Sequence, residues 1–244
     1  LLITAREHAE ILRGLISADS DLLEFEPAAS DVTEENLDLE ISPQSPAAIM
    51  YTSGSTGEPK GVIWAQRNLL HQVMLFTNAY KLSECDRVSL TTAGTGNAVV
   101  IGFLPLLNGA TLLPFDVQTH STNDLVQWLK KEKISICWFG SPLFRNICQV
   151  LADEEEFPDV RILRLGSEAS YRSDIEQYKQ HFAPECLLIN GLSNTESGSI
   201  SLYPIDFETE NPSQKVPVGY PVEDKEILLF DDDGKEVGLN EVGE

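Results

Sequence analysis

The chain has 244 residues, of which 42% are hydrophobic, enough to bury a substantial core. Its 17 lysines and arginines stand against 39 aspartates and glutamates, giving a net charge of −22. That balance excludes nucleic acid and anionic membranes as partners, since both need clustered cations. No apolar run approaches the ~20 residues that span a bilayer, and no basic start or small-residue cleavage site marks a secretory leader. Cys85, Cys137, Cys148 and Cys186 show no CxxC spacing and read as buried thiols of a cytoplasmic protein.

In chain order, the periodicity predicts a helix over 4–16 and an acidic, loop-like connection over 19–45. Strands at 46–52 and 61–64 follow, then a helix over 67–80 and a strand at 87–92. A helix over 97–108 stops at Gly109, and a strand at 110–115 leads to a helix over 122–132. Lys130-Lys131-Glu132-Lys133 reads as its solvated end. A strand at 134–139, a helix over 142–152 and a strand at 160–165 come next. The helix over 173–182 carries the capping box Ser173-Asp-Ile-Glu176, and the strand at 186–190 closes the series. These β-α units predict an α/β fold, a mostly parallel sheet flanked by helices on both faces. From residue 199 onward only strands are expected (199–203, 216–220 and 226–230), as at the start of a small β subdomain.

The chemistry is concentrated first in residues 51–61, Tyr-Thr-Ser-Gly-Ser-Thr-Gly-Glu-Pro-Lys-Gly. Thr52, Ser53, Ser55 and Thr56 offer hydroxyls. Gly54, Gly57 and Gly61 let backbone N–H groups approach an anion, and Lys60 adds a full positive charge. Glycine, serine and proline also punctuate ordinary hairpin turns, but a plain turn has no need of so many donors followed by a lysine. The run is not a P-loop: Pro59 stands where the second glycine belongs and Gly61 where the Mg²⁺-binding hydroxyl belongs. It closely resembles the phosphate-binding motif of the adenylate-forming superfamily, which includes acyl-CoA synthetases, luciferases and the adenylation domains of nonribosomal peptide synthetases.

Two later segments extend the resemblance. Asn190-Gly-Leu-Ser-Asn-Thr-Glu196 is similar to the superfamily's Asn-x-Tyr-Gly-x-Thr-Glu motif. The resemblance implies that Thr195 contacts the α-phosphate of ATP and that Glu196 holds Mg²⁺. Glu196 is acceptor-only when ionised, so a cation must bridge it to phosphate. Asn190, Gly191, Leu192 and Ser193 are implied to border the nucleotide, with Leu192 in place of the aromatic that stacks on adenine and Ser193 in place of glycine. Gly166-Ser167-Glu168 is either a strand-ending turn or the segment whose backbone lies against adenine. Val218-Gly219-Tyr220-Pro221-Val222 and Glu226 to Asp231, with Gly234 and Gly243-Glu244, follow the family's small β subdomain, so the resemblance covers essentially the whole chain.

Amino-acid-activating members carry an aspartate that pairs with the substrate's α-ammonium. Its place here is taken by Gly96, with no acid nearer upstream than Asp86. An unpaired ammonium in such a pocket costs several kcal/mol, so an aryl, fatty or keto acid is expected. The other pocket positions implied are Val100, Trp138, Leu165, Gly191 and Ile200. Trp138 either shortens the pocket or belongs to the core.

The implied reaction is attack of a carboxylate on the α-phosphorus of ATP, then transfer of the acyl group to a thiol of CoA or of carrier-borne phosphopantetheine. Lys60, Thr195 and Glu196 are the catalytic residues, and catalysis is positioning and charge stabilisation. Residues 1–198 are expected to be a fragment of the α/β core lacking its N-terminal part. Residues 199–244 begin the β subdomain, and the C-terminal lid is absent, so the chain alone is expected to turn over weakly or not at all. Three rival readings are an amino-acid-activating domain, a free-standing acyl-CoA ligase, and a non-catalytic nucleotide-binding domain. A carrier protein domain is the expected macromolecular partner.

Overall fold

The computed structural model describes residues 2–15, 22–25, 35, 38–52, 57–91, 96–210, 214–238 and 241–243. Contacts divide the chain into two units, Leu1–Ile41 and Ser42–Glu244. In the first, strand β1 (Leu2–Ala5) runs parallel to β2 (Leu22–Phe25), and a 3-10 turn (Arg6–His8) leads into the short helix α1 (Ala9–Arg13). The expected helix over 4–16 is therefore shorter, and the expected loop over 19–45 contains a strand. Arg13 and Arg6 both pair with Glu24 of β2, so the apolar-acidic run Leu22-Leu23-Glu24-Phe25 is held extended by pairing that a sequence does not show.

The second unit begins with an antiparallel hairpin, β3 (Pro46–Thr52) and β4 (Lys60–Ala65). Then follow α2 (Gln66–Tyr80), β5 (Arg87–Leu90), α3 (Gly96–Leu106), β6 (Thr111–Pro114), α4 (Thr122–Lys131), β7 (Ile136–Gly140) and α5 (Ser141–Val150). The chain continues through β8 (Ile162–Gly166), α6 (Arg172–His181), β9 (Leu187–Asn194), β10 (Gly198–Ile205) and β11 (Tyr220–Pro221). Seven strands form one sheet in the order β11-β10-β9-β8-β7-β5-β6. The pairs among β6, β5, β7, β8 and β9 are parallel, and β10 and β11 add an antiparallel edge.

Side-chain alternation sorts the sheet into two cores. Cys137, Phe139, Leu163, Leu165 and Leu188 face α4, α5 and α6, while Val88, Ile136, Trp138, Ile162 and Ile189 face α2, α3 and the hairpin. Both faces are covered, which is why these strands are apolar nearly throughout. Helix ends follow local chemistry. Ser121 accepts from the Asp124 N–H at 3.2 Å and Asp124 answers from the Ser121 N–H at 3.0 Å, capping α4. Gly109, at φ +70°, ends the α3 segment in the left-handed conformation a glycine adopts freely. The expected box on Glu176 is replaced: α6 starts at Arg172, and Asp174 accepts from the Tyr171 N–H at 2.8 Å. Asp174 also takes both Arg145 donors at 2.8 Å, which fixes it as the capping acid. Lys130 is not simply solvated, since it pairs with Glu155 at 2.5 Å and lies over the Phe157 ring.

Three further corrections concern the C-terminal segment and the thiols. The strand expected at 199–203 is β10, which pairs with β9 inside the main sheet. The 216–220 and 226–230 segments give only Tyr220–Pro221 and a single bridge from Phe230 to Glu236. Pro217 and Pro221 lack the N–H that a longer ladder needs. Among the cysteines Cys85 is exposed, while Cys137, Cys148 and Cys186 are buried.

At the N-terminal ends of the parallel strands, Asp86 is 3% exposed. It accepts from Arg161 Nε and Nη2 at 2.7 Å, from Ser135 Oγ at 2.8 Å and from the Ser83 N–H at 2.9 Å. Burial raises its carboxyl pKa, but these donors together hold it below the usual aspartate value. A depressed folded-state pKa contributes stability above the unfolded value, and that stability is lost as pH falls through the folded one. Asp86→Asn is therefore expected to lower stability at pH 7 by about 2–3 kcal/mol, the figure being reduced because the Arg161 side chain is 36% exposed. In thermal denaturation across pH, the gap between wild type and variant should close below about pH 4. An equal gap at all pH values would sink this assignment.

Candidate nucleotide and acyl site

The 51–61 run is the tip of the β3–β4 hairpin, with Tyr51 opposite Gly61 and Thr52 opposite Lys60. Ser53, Gly54, Ser55 and Thr56 lie outside the described residues. Gly57 closes the tip at φ +85°, with open space where a Cβ would stand, and Lys60 is exposed. The hairpin is seated by Met50 and Trp64, each 6% exposed.

The second motif is also a hairpin tip. β9 continues past residue 190 to Asn194. Its pairing with β8 extends only as far as Arg164 opposite Ile189, so beyond that level β9 and β10 run on as a two-stranded ribbon. Thr195, Glu196 and Ser197 make the turn, closed by the Ser197 N–H on Asn194 Oδ1 at 2.6 Å and by Gly198 at φ +70°. A Cβ on Gly198 would sit 2.7 Å from the Gln72 side chain, and Gln72 Oε1 accepts from the Ser199 N–H at 2.8 Å. Lys225 donates to the Ser197 and Ser199 carbonyls from the other side.

One hydrogen bond joins the base of the first hairpin, where Trp64 pairs with Ala48, to the second tip. Trp64 Nε1–H donates to the Thr195 carbonyl at 2.8 Å, across 131 residues of sequence. A buried indole seeks a partner for its N–H, so Trp64 holds the strand that begins at Lys60 against the turn that carries Thr195 and Glu196. Trp64, Gln72 and Lys225 were not legible as site residues. The only signal was a tryptophan and a glutamine on elements otherwise readable as core.

Beyond β8 the chain turns sharply at Gly166-Ser167, with Ser167 at φ +69°, an uncommon conformation for a residue with a side chain. Ser170 Oγ donates to Asn190 Oδ1 at 3.0 Å, and Asn190 Nδ2 donates to the Pro217 carbonyl at 2.8 Å. The Asn190 amide thus braces the 166–170 turn and the 214–218 segment around a cavity of about 230 Å³. Ser167, Glu168, Gly191, Leu192, Ser193 and Val218 line it, so the segments implied to border adenine do meet. Leu192 and Val218, each more than 40% exposed, supply apolar surface there.

The acyl-pocket residues do not all converge. Val100 and Trp138 line a second cavity, of about 20 Å³ enclosed, together with Phe76, Arg164, Gly166, Ser193 and Ser199. Leu165 is fully buried in the other core, because Trp138 pairs in register with Arg164 and Leu165 faces the opposite side. Gly191 lines the first cavity, where a Cβ would collide with the Ser201 carbonyl. Ile200 is the extra residue of a bulge in β10, and its carbonyl accepts from the Val222 N–H at 3.0 Å. Gly96 opens α3. Trp138 is both pocket wall and core, packed edge-on against Phe76 at 4.8 Å.

A sequence profile described as AMP-binding enzyme matches residues 3–244. The chain belongs to the AMP-binding enzyme family. Members of this family are adenylate-forming ligases. One relative, gramicidin S synthase 2 of Brevibacillus brevis, is 34% identical over 189 residues, covering 76% of this chain but 4% of its own length. Among solved structures, the Klebsiella oxytoca NpsA N-terminal subdomain in complex with 3-hydroxybenzoyl-AMSN is 25% identical, with a TM-score of 0.69 over 84% of this chain and 50% of that one. The Bacillus subtilis O-succinylbenzoate Coenzyme A Synthetase (MenE), in complex with ATP and magnesium ion, has a TM-score of 0.76 at 18% identity, over 100% of this chain and 49% of that one. AMP-binding enzymes thus share the mostly parallel sheet found here. Among the described residues no helix is long and apolar enough to cross a membrane.

Proposed function

We infer that this chain carries the ATP-binding part of an enzyme that activates a carboxylic acid as its acyl-adenylate. The observation that carries this reading is the Trp64–Thr195 hydrogen bond. It ties the base of the hairpin that bears Lys60 to the Thr195-Glu196 turn, so both implied phosphate-binding segments belong to one packed unit.

In the reaction, an oxygen of the acid attacks the α-phosphorus, the bond to the β-phosphate oxygen breaks, and pyrophosphate leaves with that electron pair. A thiol, of CoA or of carrier-borne phosphopantetheine, then adds to the acyl carbon and AMP departs. Lys60 and the hairpin tip hold the β- and γ-phosphates, and Thr195 orients the α-phosphate. Among the described residues no three His, Cys, Asp or Glu side chains gather into a metal site of their own. Glu196, exposed beside Thr195, suits an Mg²⁺ that takes its other ligands from phosphate and water. When bound, that ion neutralises phosphate charge.

The acid is not an α-amino acid. Among the described residues, the cavity lined by Val100 and Trp138 contains no carboxylate, and its one charged side chain is Arg164, a cation like the ammonium it would have to accept. Residues 199–244 would begin the small β subdomain, and a carrier domain would dock in cis or in trans. In pyrophosphate–ATP exchange by the full-length protein, Glu196→Gln is expected to lower the rate about 100-fold with unchanged melting temperature. Exchange driven only by α-amino acids would refute the substrate assignment, and no exchange with any acid would favour a non-catalytic nucleotide-binding domain.

A further inference from the structure

Arg164 is 2% exposed on β8 and has no carboxylate partner among the described residues. Its Nη1 donates to the Leu165 carbonyl and, at 3.2 Å, to that of Ile189, while Nε has no acceptor. A guanidinium has five donors, so two carbonyls leave most of its hydrogen-bonding capacity unused. Burying such a charge without a counter-ion costs several kcal/mol, and burial pushes its pKa down.

The surroundings are built to receive it. The guanidinium lies 6.0 Å over the Trp138 ring. Cβ atoms at Gly191 and Gly166 would stand 2.9 Å from Nη2 and 3.5 Å from Nη1, so two glycines of the nucleotide segments leave it room. Ser199 Oγ, on the same cavity wall, is buried and unpartnered. The Tyr80 hydroxyl interacts with the same guanidinium and is not part of that wall. A buried cation and an idle hydroxyl therefore line one small cavity that reaches Gly166 and Ser193.

We propose that the acid activated here carries a second carboxylate, a short dicarboxylic acid whose far end pairs with Arg164. A planar carboxylate matches the guanidinium fork, and the Ser199 hydroxyl is a donor for one of its remaining lone pairs. The edge-on Phe76–Trp138 pair walls the cavity beside Arg164 and favours a short chain. This inference rests on the adenylating reading above.

The test is pyrophosphate–ATP exchange by the full-length protein with malonate, succinate and glutarate against propionate, butyrate and valerate. Wild type should prefer a diacid over the monoacid of equal length by at least tenfold in kcat/KM. Arg164→Met should abolish that preference, and Arg164→Lys should keep part of it. The same diacid should raise the melting temperature of wild type, with a non-hydrolysable ATP analogue present, and not that of Arg164→Met. The wild-type panel decides the matter even if Arg164→Met does not fold. Exchange with monoacids, aryl acids or amino acids equal to or above that with diacids overturns the inference and leaves the adenylating reading standing. No exchange with any acid overturns both.

Discussion

Lys60→Ala is expected to lower pyrophosphate–ATP exchange by about two to three orders of magnitude, the scale of losing one charge-stabilising donor in a reacting site. The chain carries a net charge of −22, so on the proposed reading a triphosphate is held by local devices, and Lys60 is the full charge of the first hairpin's tip. It opens β4 opposite Thr52, where the strand pairing is made by backbone atoms and the side chain is exposed. The substitution should therefore leave the melting temperature within a degree or two of wild type, which separates lost chemistry from lost structure. Lys60→Arg should recover part of the rate. Full exchange activity in Lys60→Ala would remove the hairpin tip from the mechanism.

Gly219→Ala is expected to cost about 4 kcal/mol of stability, combining the left-handed penalty with forced displacement of packed backbone. Gly219 sits at φ +84°, and a Cβ there would fall 2.0 Å from the Leu202 carbonyl oxygen of β10. That oxygen belongs to a strand and cannot swing aside as a side chain could. The segment from Val216 to Val222 crosses this strand closely enough for Asn190 to bond Pro217 and for Val218 to line the larger cavity. The variant should thus melt roughly 10 °C lower and also bind ATP more weakly, as followed by calorimetry of the full-length protein. A variant as stable as wild type would show that this crossing is looser than described.

Much of the fold was legible because its strands are short apolar runs between turn residues and its helices carry strong amphipathic periods. Legibility failed where pairing, not composition, decides conformation. Gly191-Leu192-Ser193-Asn194 reads as a turn, yet it is strand because β10 lies beside it. Leu165 was assigned to the acyl pocket, but the register that sets Trp138 opposite Arg164 turns Leu165 to the other core, and register is invisible in one strand's sequence. The run Ile-Leu-Arg164-Leu-Gly gives no local pattern that sets Arg164 apart. A charge inside a strand covered on both faces was the available signal that something must meet it. The motif points to Thr195 and Glu196, whereas the indole that anchors their turn to the base of the first hairpin gives no pattern at all.

Trp64 also turns the site into its own optical probe. The chain has three tryptophans. Trp64 and Trp138 both line the smaller cavity, whereas Trp128 packs on the far face of the sheet. An indole whose N–H is bound to a backbone carbonyl emits according to that bond and to the polarity around it. Nucleotide engaging the turn that carries Thr195 would therefore be read through Trp64 in the protein's intrinsic fluorescence, and acid entering next to Arg164 would add a separate change through Trp138. Binding order becomes measurable in stopped flow without label or coupled assay.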